Sequence, residues 1–95
     1  MLEYLQKHIV DELKGAIDYM TKALEHKGKP CGQKFYNMAM MELDHANSLT
    51  KMLSSEDRPK GMTDAEYGEL YKTILDAYST HMAKVEAMKK LYWAE

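Results

Sequence analysis

A four-residue break, Lys27-Gly28-Lys29-Pro30, separates two long stretches in which apolar residues recur at helical spacing. Glycine adopts the left-handed conformation that ends many helices, and proline is favoured at the first position of the next helix. Because so short a connection leaves two helices no room to separate, the two stretches are predicted to fold into an antiparallel helical hairpin.

The helical spacing of apolar residues, together with the turn-forming and capping residues between the apolar stretches, predicts three helices and no strands. Helix 1 is expected over about residues 2–26 and helix 2 over about 30–54, and the polar segment 54–61 contains turn-forming residues. Thr63-Asp-Ala-Glu66 is a capping box that begins helix 3, expected over about 64–93. The chain of 95 residues is therefore predicted to be a single all-α domain.

Helix 3 is longer than helix 2, since its roughly 30 residues would span about 45 Å. Part of it is therefore expected to overhang the hairpin and to pack on another subunit. His81 lies on its apolar side and is expected to be a satisfied core or interface histidine rather than a ligand.

Composition excludes several classes of partner. The net charge of −2 gives no electrostatic basis for binding nucleic acid or an anionic membrane. No stretch has the length and apolarity of a transmembrane helix, and the first residues do not form a signal peptide.

The single cysteine, Cys31, excludes an intrachain disulfide and fits a reducing cytoplasm, which is the expected location. No role is expected for Cys31.

One charged residue interrupts the apolar stripe of helix 2. The members of that stripe are Phe35, Met38, Ala39, Ala46, Leu49, Met52 and Leu53. Glu42 lies in the middle of it and is expected to be buried, which costs several kcal/mol unless the charge is neutralised. No lysine or arginine lies on either apolar stripe of the hairpin, but His45 follows three residues later on the same side.

Counting residues from the turn indicates that the Glu12 carboxylate faces Glu42 and His45. Glu12 is 14 residues before the end of helix 1 near His26, and Glu42 and His45 are 12 and 15 residues after Pro30. These separations correspond to about 21, 18 and 22 Å of helix. Glu12 is therefore predicted to lie at the level of Glu42 and His45.

Glu12, Glu42 and His45 together favour a metal site, because carboxylates suit iron or manganese and imidazole is compatible with both. Inward-facing glutamates and Glu-x-x-His pairs hold two metal ions in helical bundles. Such a site needs two sets, and helix 3 has no second Glu-x-x-His. The missing half is expected from a twofold-related chain, which would complete a four-helix bundle in a homodimer or a higher even oligomer.

The alternative is a non-enzymatic helical dimerisation or interaction module. In that interpretation the buried pair of Glu42 and His45 determines the specificity of association, as single polar residues do in coiled coils. Metal binding distinguishes the two interpretations.

The pattern resembles a known family. Glu12 followed by Tyr19, and then Glu42-Leu-Asp-His45, resembles the first half of the ferritin-like di-iron pattern, Glu-x6-Tyr on one helix and Glu-x-x-His on the next. The version with one hairpin per chain is similar to the encapsulated ferritins, whose metal glutamates show the same 30-residue separation as Glu12 and Glu42. The resemblance covers helices 1 and 2, about 50 residues.

The resemblance implies a role for each matching residue. Glu42 would bridge two iron ions shared across the dimer, and Glu12 and His45 would be terminal ligands. Tyr19 would be a phenol near the ligands or a redox-active group. The implied activity is a ferroxidase that oxidises Fe(II) to Fe(III) for iron storage or detoxification. The resemblance also leaves open a shell or encapsulating protein as a partner.

Two further residues of helix 1 lie near Glu12. His8, one turn before it, either donates a hydrogen bond to Glu12 or is solvated. Gly15 is expected to be an ordinary mid-helix glycine, tolerated at a modest cost in helix stability.

Overall fold

Three α-helices make up the part of the chain that the structure describes. The computed structural model describes residues 2–55 and 58–95, without the side chains of residues 54 and 55. The helices are α1 (Leu2–Glu25), α2 (Pro30–Ser55) and α3 (Asp64–Trp93). The prediction of an all-α chain with three helices is confirmed for these residues, and residues 56 and 57 of the predicted polar segment lie outside them. Among the described helices, none has both the length and the apolarity that crossing a membrane requires.

The turn between α1 and α2 is tight. Gly28 has a φ of +86°, the left-handed conformation predicted for it, and the Lys29 N–H donates to the His26 carbonyl oxygen at 3.0 Å. Pro30 is the first residue of α2, also as predicted. A Cβ atom on Gly32 would lie only 2.2 Å from the His26 carbonyl oxygen, so this position requires glycine.

The start of α3 is fixed by the predicted capping box. The Glu66 N–H donates to Thr63 Oγ1, and the Thr63 N–H donates to Glu66 Oε1, each at 3.1 Å. These hydrogen bonds, first with the Thr63 backbone and then with its side chain, lower the pKa of the Glu66 carboxyl. Two unpaired N–H groups of the helix end are thereby satisfied.

The core is centred on α1, which packs against both other helices. Its buried residues recur with helical period and are Leu2, Leu5, Ile9, Leu13, Ala16, Met20 and Ala23. The buried apolar residues of α2 are Ala39, Leu43, Ala46 and Leu53, and those of α3 are Ile74, Val85 and Tyr92. No charged side chain is buried among the described residues.

Most of α3 packs on its own chain, so the overhang is short, and its expected packing on another subunit stays a prediction. Leu70 lies beside Leu2 in one surface pocket, and Lys27 Nζ donates to the Leu91 carbonyl oxygen at 2.9 Å. From Leu70 onward α3 therefore runs parallel to α1, and only residues 64–69 precede the level at which α1 begins. The physical reason is that the buried residues of α3, Ile74, Val85 and Tyr92, belong to the same core cluster as those of α1.

The helices α2 and α3 meet mainly through long side chains. Tyr92 Oη donates to Gln33 Oε1 at 3.4 Å, and Trp93 Nε1 donates to the Tyr36 hydroxyl at 3.0 Å. The Tyr36 and Tyr92 rings stack with their centroids 4.7 Å apart. These contacts close the end of the molecule that contains the α1–α2 turn.

One side of the hairpin remains uncovered by α3, and we call it the open face. Its residues are Glu12, Met38, Met41, Glu42, His45 and Met52. Met38, Met41 and Met52 are 39, 58 and 43% exposed. The apolar stripe predicted for α2 was therefore wrong in part, because Met38 and Met52 lie outside the core and Leu43 lies within it. The reason is that α1 covers only one side of that stripe, so the residues on its other side stay exposed.

Candidate metal centre

Three side chains with metal-binding atoms meet on the open face. One ligand atom from each of Glu12, Glu42 and His45 lies within 4.8 Å of the other two. Among the side chains that the structure describes, no other three histidine, cysteine or acidic residues are grouped in this way. The prediction that Glu12 lies at the level of Glu42 and His45 is confirmed.

The packing of α1 on α2 explains why these groups meet. Small residues, Ala16 and Ala23 on α1 and Ala39 and Ala46 on α2, are fully buried in the core. Small side chains at a helix contact let the two backbones approach closely. The side chains of Glu12 on α1 and Glu42 on α2 can therefore reach one another at the edge of the hairpin.

His45 contacts Glu12 directly. Its Nδ1 lies 3.4 Å from Glu12 Oε2, and the two side chains are 57% and 25% exposed. On α2, Glu42 and His45 are three residues apart and therefore lie on neighbouring positions of one helix face. The contact with Glu12 orients the imidazole towards the carboxylate pair.

Glu42 is half-buried rather than enclosed in the core, so the expectation of a buried glutamate was wrong. Its carboxyl group lies against α1 at Gly15, where an added Cβ would be 3.2 Å from Glu42 Oε2. Glu42 retains solvent access because the open face is uncovered in the single chain.

The two carboxyl groups influence each other strongly. The pKa of Glu42 is raised from 4.5 to about 7, first by the hydrogen bond with the Glu12 carboxyl, then by partial burial and by the negative charge of Glu12. The positive charge of a protonated His45 acts in the opposite direction. Near neutral pH the Glu42 carboxyl is therefore partly protonated.

The donor set fits a hard divalent cation. Two oxygen or nitrogen ligands of one ion, each at about 2.0–2.2 Å, lie at most about 4.4 Å apart. The present separations, within 4.8 Å, need only a small side-chain movement to reach that range. Two carboxylates and one imidazole are ligands that iron and manganese accept.

The other candidate residues lie outside this group. Tyr19 stacks on Phe35 with ring centroids 6.4 Å apart, and His8 packs against Tyr4 in a tilted arrangement with centroids 4.1 Å apart. In the described residues neither side chain forms a hydrogen bond with Glu12, Glu42 or His45, so the role implied for Tyr19 stays a prediction. His81 Nδ1 lies 2.6 Å from the carbonyl oxygen of Ala77, which satisfies it within its own helix.

Sequence reasoning missed Gly15. A mid-helix glycine carries no chemistry, and its proximity to Glu42 depends on how α1 and α2 are rotated about their axes. A signal was nevertheless present, since Gly15 follows Glu12 by three residues and therefore lies on the same helix face.

Comparisons with known proteins give no relative: no family model, no curated protein and no solved structure matches this chain.

Proposed function

We propose that this protein binds Fe(II) as a substrate at Glu12, Glu42 and His45 and oxidises it to Fe(III). The observation that supports the proposal is the meeting of two carboxyl groups and an imidazole within 4.8 Å, an arrangement in which the pKa of Glu42 is raised to about 7. Such a group is costly for a protein that uses it only for stability. The pattern of Glu12, Tyr19 and the Glu42–His45 pair resembles ferritin-like di-iron proteins and suggests this substrate.

A second copy of the chain would complete the site in this proposal. One chain offers three ligands, too few for two ions. The open face, which carries the three ligands, also exposes Met38, Met41 and Met52. Pairing two open faces about a twofold axis would cover these methionines, bring the two sets of ligands together and produce a four-helix bundle.

The chain's residues would act as ligands and as a proton reservoir. Entry of Fe(II) displaces the proton shared by Glu12 and Glu42, and Glu42, with two carboxylate oxygens, can contact two ions. The imidazole of His45 supplies a neutral nitrogen ligand. The oxidant is dioxygen or a peroxide; with hydrogen peroxide, two Fe(II) ions each lose one electron, and the peroxide takes two electrons and two protons to form two water molecules. Mn(II) fits the same donor set.

The decisive experiment measures iron binding and oxidation. Purified protein is analysed for bound iron, loaded anaerobically with Fe(II) at neutral pH and exposed to air or peroxide while Fe(III) is followed by absorbance. The wild type should bind iron and accelerate its oxidation. Glu42→Ala/His45→Ala should abolish both effects, and Glu86→Ala/His81→Ala, a glutamate–histidine pair on α3 outside the site, should not.

Two other results would overturn the proposal. The first is a wild type that neither binds Fe(II) nor speeds its oxidation. The second is a Glu42→Ala/His45→Ala variant that changes only the oligomeric state, which would favour the interaction module in which these residues determine the specificity of association.

A further inference from the structure

Gly15 occupies a position in α1 where glycine is unfavourable for the helix. It lies in the middle of a 24-residue helix and is half-buried. Glycine in a helix interior is less stable than alanine because it loses more backbone freedom on folding. Its backbone is an ordinary part of the helix, without the positive φ that Gly28 and Gly61 adopt. Backbone conformation therefore does not explain it.

The neighbours of Gly15 supply a different explanation. A Cβ atom built on Gly15 would lie 3.2 Å from Oε2, 3.5 Å from Cδ and 3.7 Å from Cγ of Glu42. All three of these nearest atoms belong to one side chain, and that side chain is a candidate ligand. Glu42 thus rests against the bare backbone of α1, beside Glu12.

Other glycines in the structure show that this contact is particular to Gly15. Around Gly68, in α3, nothing lies within 4 Å of an added Cβ. Around Gly32 the nearest atom is the backbone oxygen of His26, which concerns the turn and not the site. Gly68 is therefore a matched control for a glycine-to-alanine change in a helix away from Glu42.

We infer that Gly15 is a positioning residue, whose missing side chain lets the Glu42 carboxyl approach Glu12 closely enough to form the ligand group. The metal part of this inference rests on the proposed function, and the placement of Glu42 does not. An alanine at position 15 would push the carboxyl away from α1 by a few tenths of an ångström. Ordinary packing tolerates such a shift, whereas the ligand atoms, now within 4.8 Å of one another, must draw closer to hold one ion, and the new methyl group opposes that movement.

The first test uses metal-free protein and a double-mutant cycle. Gly68→Ala should raise Tm by about 2–6 °C, since alanine favours the helix. In the wild type, Gly15→Ala should raise Tm by less, because the new methyl group crowds Glu42. In a Glu42→Ala background the crowding is absent, and Gly15→Ala should raise Tm as much as Gly68→Ala does. An equal effect of Gly15→Ala with and without Glu42 would overturn the inference.

The second test measures the affinity for Mn(II) and for Fe(II) under anaerobic conditions. Gly15→Ala should weaken binding by roughly tenfold, the size of effect seen when groups that orient metal ligands are changed. Gly68→Ala should leave the affinity unchanged. In a Glu42→Asp background the shorter side chain does not reach the new methyl group, so Gly15→Ala should cost much less affinity there.

The two tests separate the failure of this inference from that of the proposed function. A wild type that binds neither cation would overturn the metal centre, while the metal-free cycle would still decide whether Gly15 places Glu42. A wild type that binds metal with the same affinity as Gly15→Ala would overturn the positioning role and leave the metal centre intact. A merely structural glycine would lower stability and affinity together, whereas here Tm rises while affinity falls.

Discussion

Glu12 and Glu42 form a pair of acidic side chains whose mutual repulsion is relieved by a proton. Their hydrogen bond, the partial burial and the charge of Glu12 raise the pKa of Glu42 to about 7. An isolated pair of this kind weakens the folded state whenever both groups are ionised. The metal-free protein therefore carries a local cost at neutral pH that a bound cation would remove.

The first prediction concerns the stability of the metal-free protein against pH. The pKa of Glu42 is higher in the folded state, about 7, than its ordinary 4.5, so the folded state binds the proton more tightly. The contribution of Glu42 to stability is then fully present below about pH 4.5 and is lost as pH rises to about 7. Because the carboxyl is half-exposed, the loss is on the order of 1 kcal/mol.

The predicted pH dependence of stability is checked by urea unfolding of the metal-free wild type and of Glu42→Gln at several pH values. The difference in unfolding free energy between the two should change in favour of Glu42→Gln as pH rises from 4.5 to 7.5. Glu69→Gln, at an exposed position of α3, is the control and should show no such trend. A difference between wild type and Glu42→Gln that does not vary with pH would contradict the shared proton.

The second prediction belongs to the turn between α1 and α2. Gly32 is buried where an added Cβ would lie 2.2 Å from a backbone oxygen, and backbone cannot move aside as a flexible side chain does. Gly32→Ala should therefore destabilise the protein by about 1–3 kcal/mol, despite the better helix propensity of alanine. Thermal unfolding should show Tm falling for Gly32→Ala and rising for Gly68→Ala; a rise in both would contradict the close approach.

The third prediction concerns the first turn of α3. Thr63 accepts a hydrogen bond from the Glu66 N–H and begins the helix. Thr63→Ala should cost about 1 kcal/mol, the usual effect of losing such a cap. Thr63→Ser keeps the hydroxyl and should restore most of the stability in chemical denaturation. Equal loss in both variants would show that the hydroxyl does not act as the cap.

The features of the fold that could be predicted from the sequence are those determined by a few neighbouring residues. Gly28, Pro30 and the capping box at Thr63 act over a few residues, so the ends of the helices could be predicted. The level of Glu12 against Glu42 followed from counting along two helices joined by a short turn. The rotation of the helices about their axes could not be derived, because it depends on how α1 is shared between α2 and α3. That rotation decides the exposure of Met38, the half-burial of Glu42 and the position of Gly15.

The fourth prediction concerns the whole molecule and its self-association. If two copies pair through their open faces, a charged residue introduced among the exposed methionines of that face should prevent dimerisation without unfolding the chain. Met41, 58% exposed, is suited to this test, and Leu91, 60% exposed on α3 away from the open face, is its matched control. Met41→Lys should be monomeric by light scattering at micromolar concentration, while the wild type and Leu91→Lys should be dimeric.

The same variants connect association to activity. A monomeric Met41→Lys protein should retain its helix content but lose accelerated Fe(II) oxidation, because it presents half of the ligands. A wild type that is monomeric and still oxidises Fe(II) would contradict a site shared between two copies. A Met41→Lys variant that remains dimeric would show that the interface lies elsewhere.

The position of α3 on one flank of α1 has a consequence for assembly. A bare hairpin would offer apolar surface on two sides and could add copies on both, which leads to open-ended chains. With α3 occupying one side, held at its end by contacts such as that of Lys27, the open face is the side of the hairpin that α3 leaves uncovered. A chain with one self-complementary surface can bind only one other copy through it, so association through that surface ends at the dimer. If two copies pair through the open face as we propose, the third helix would limit the assembly to a dimer.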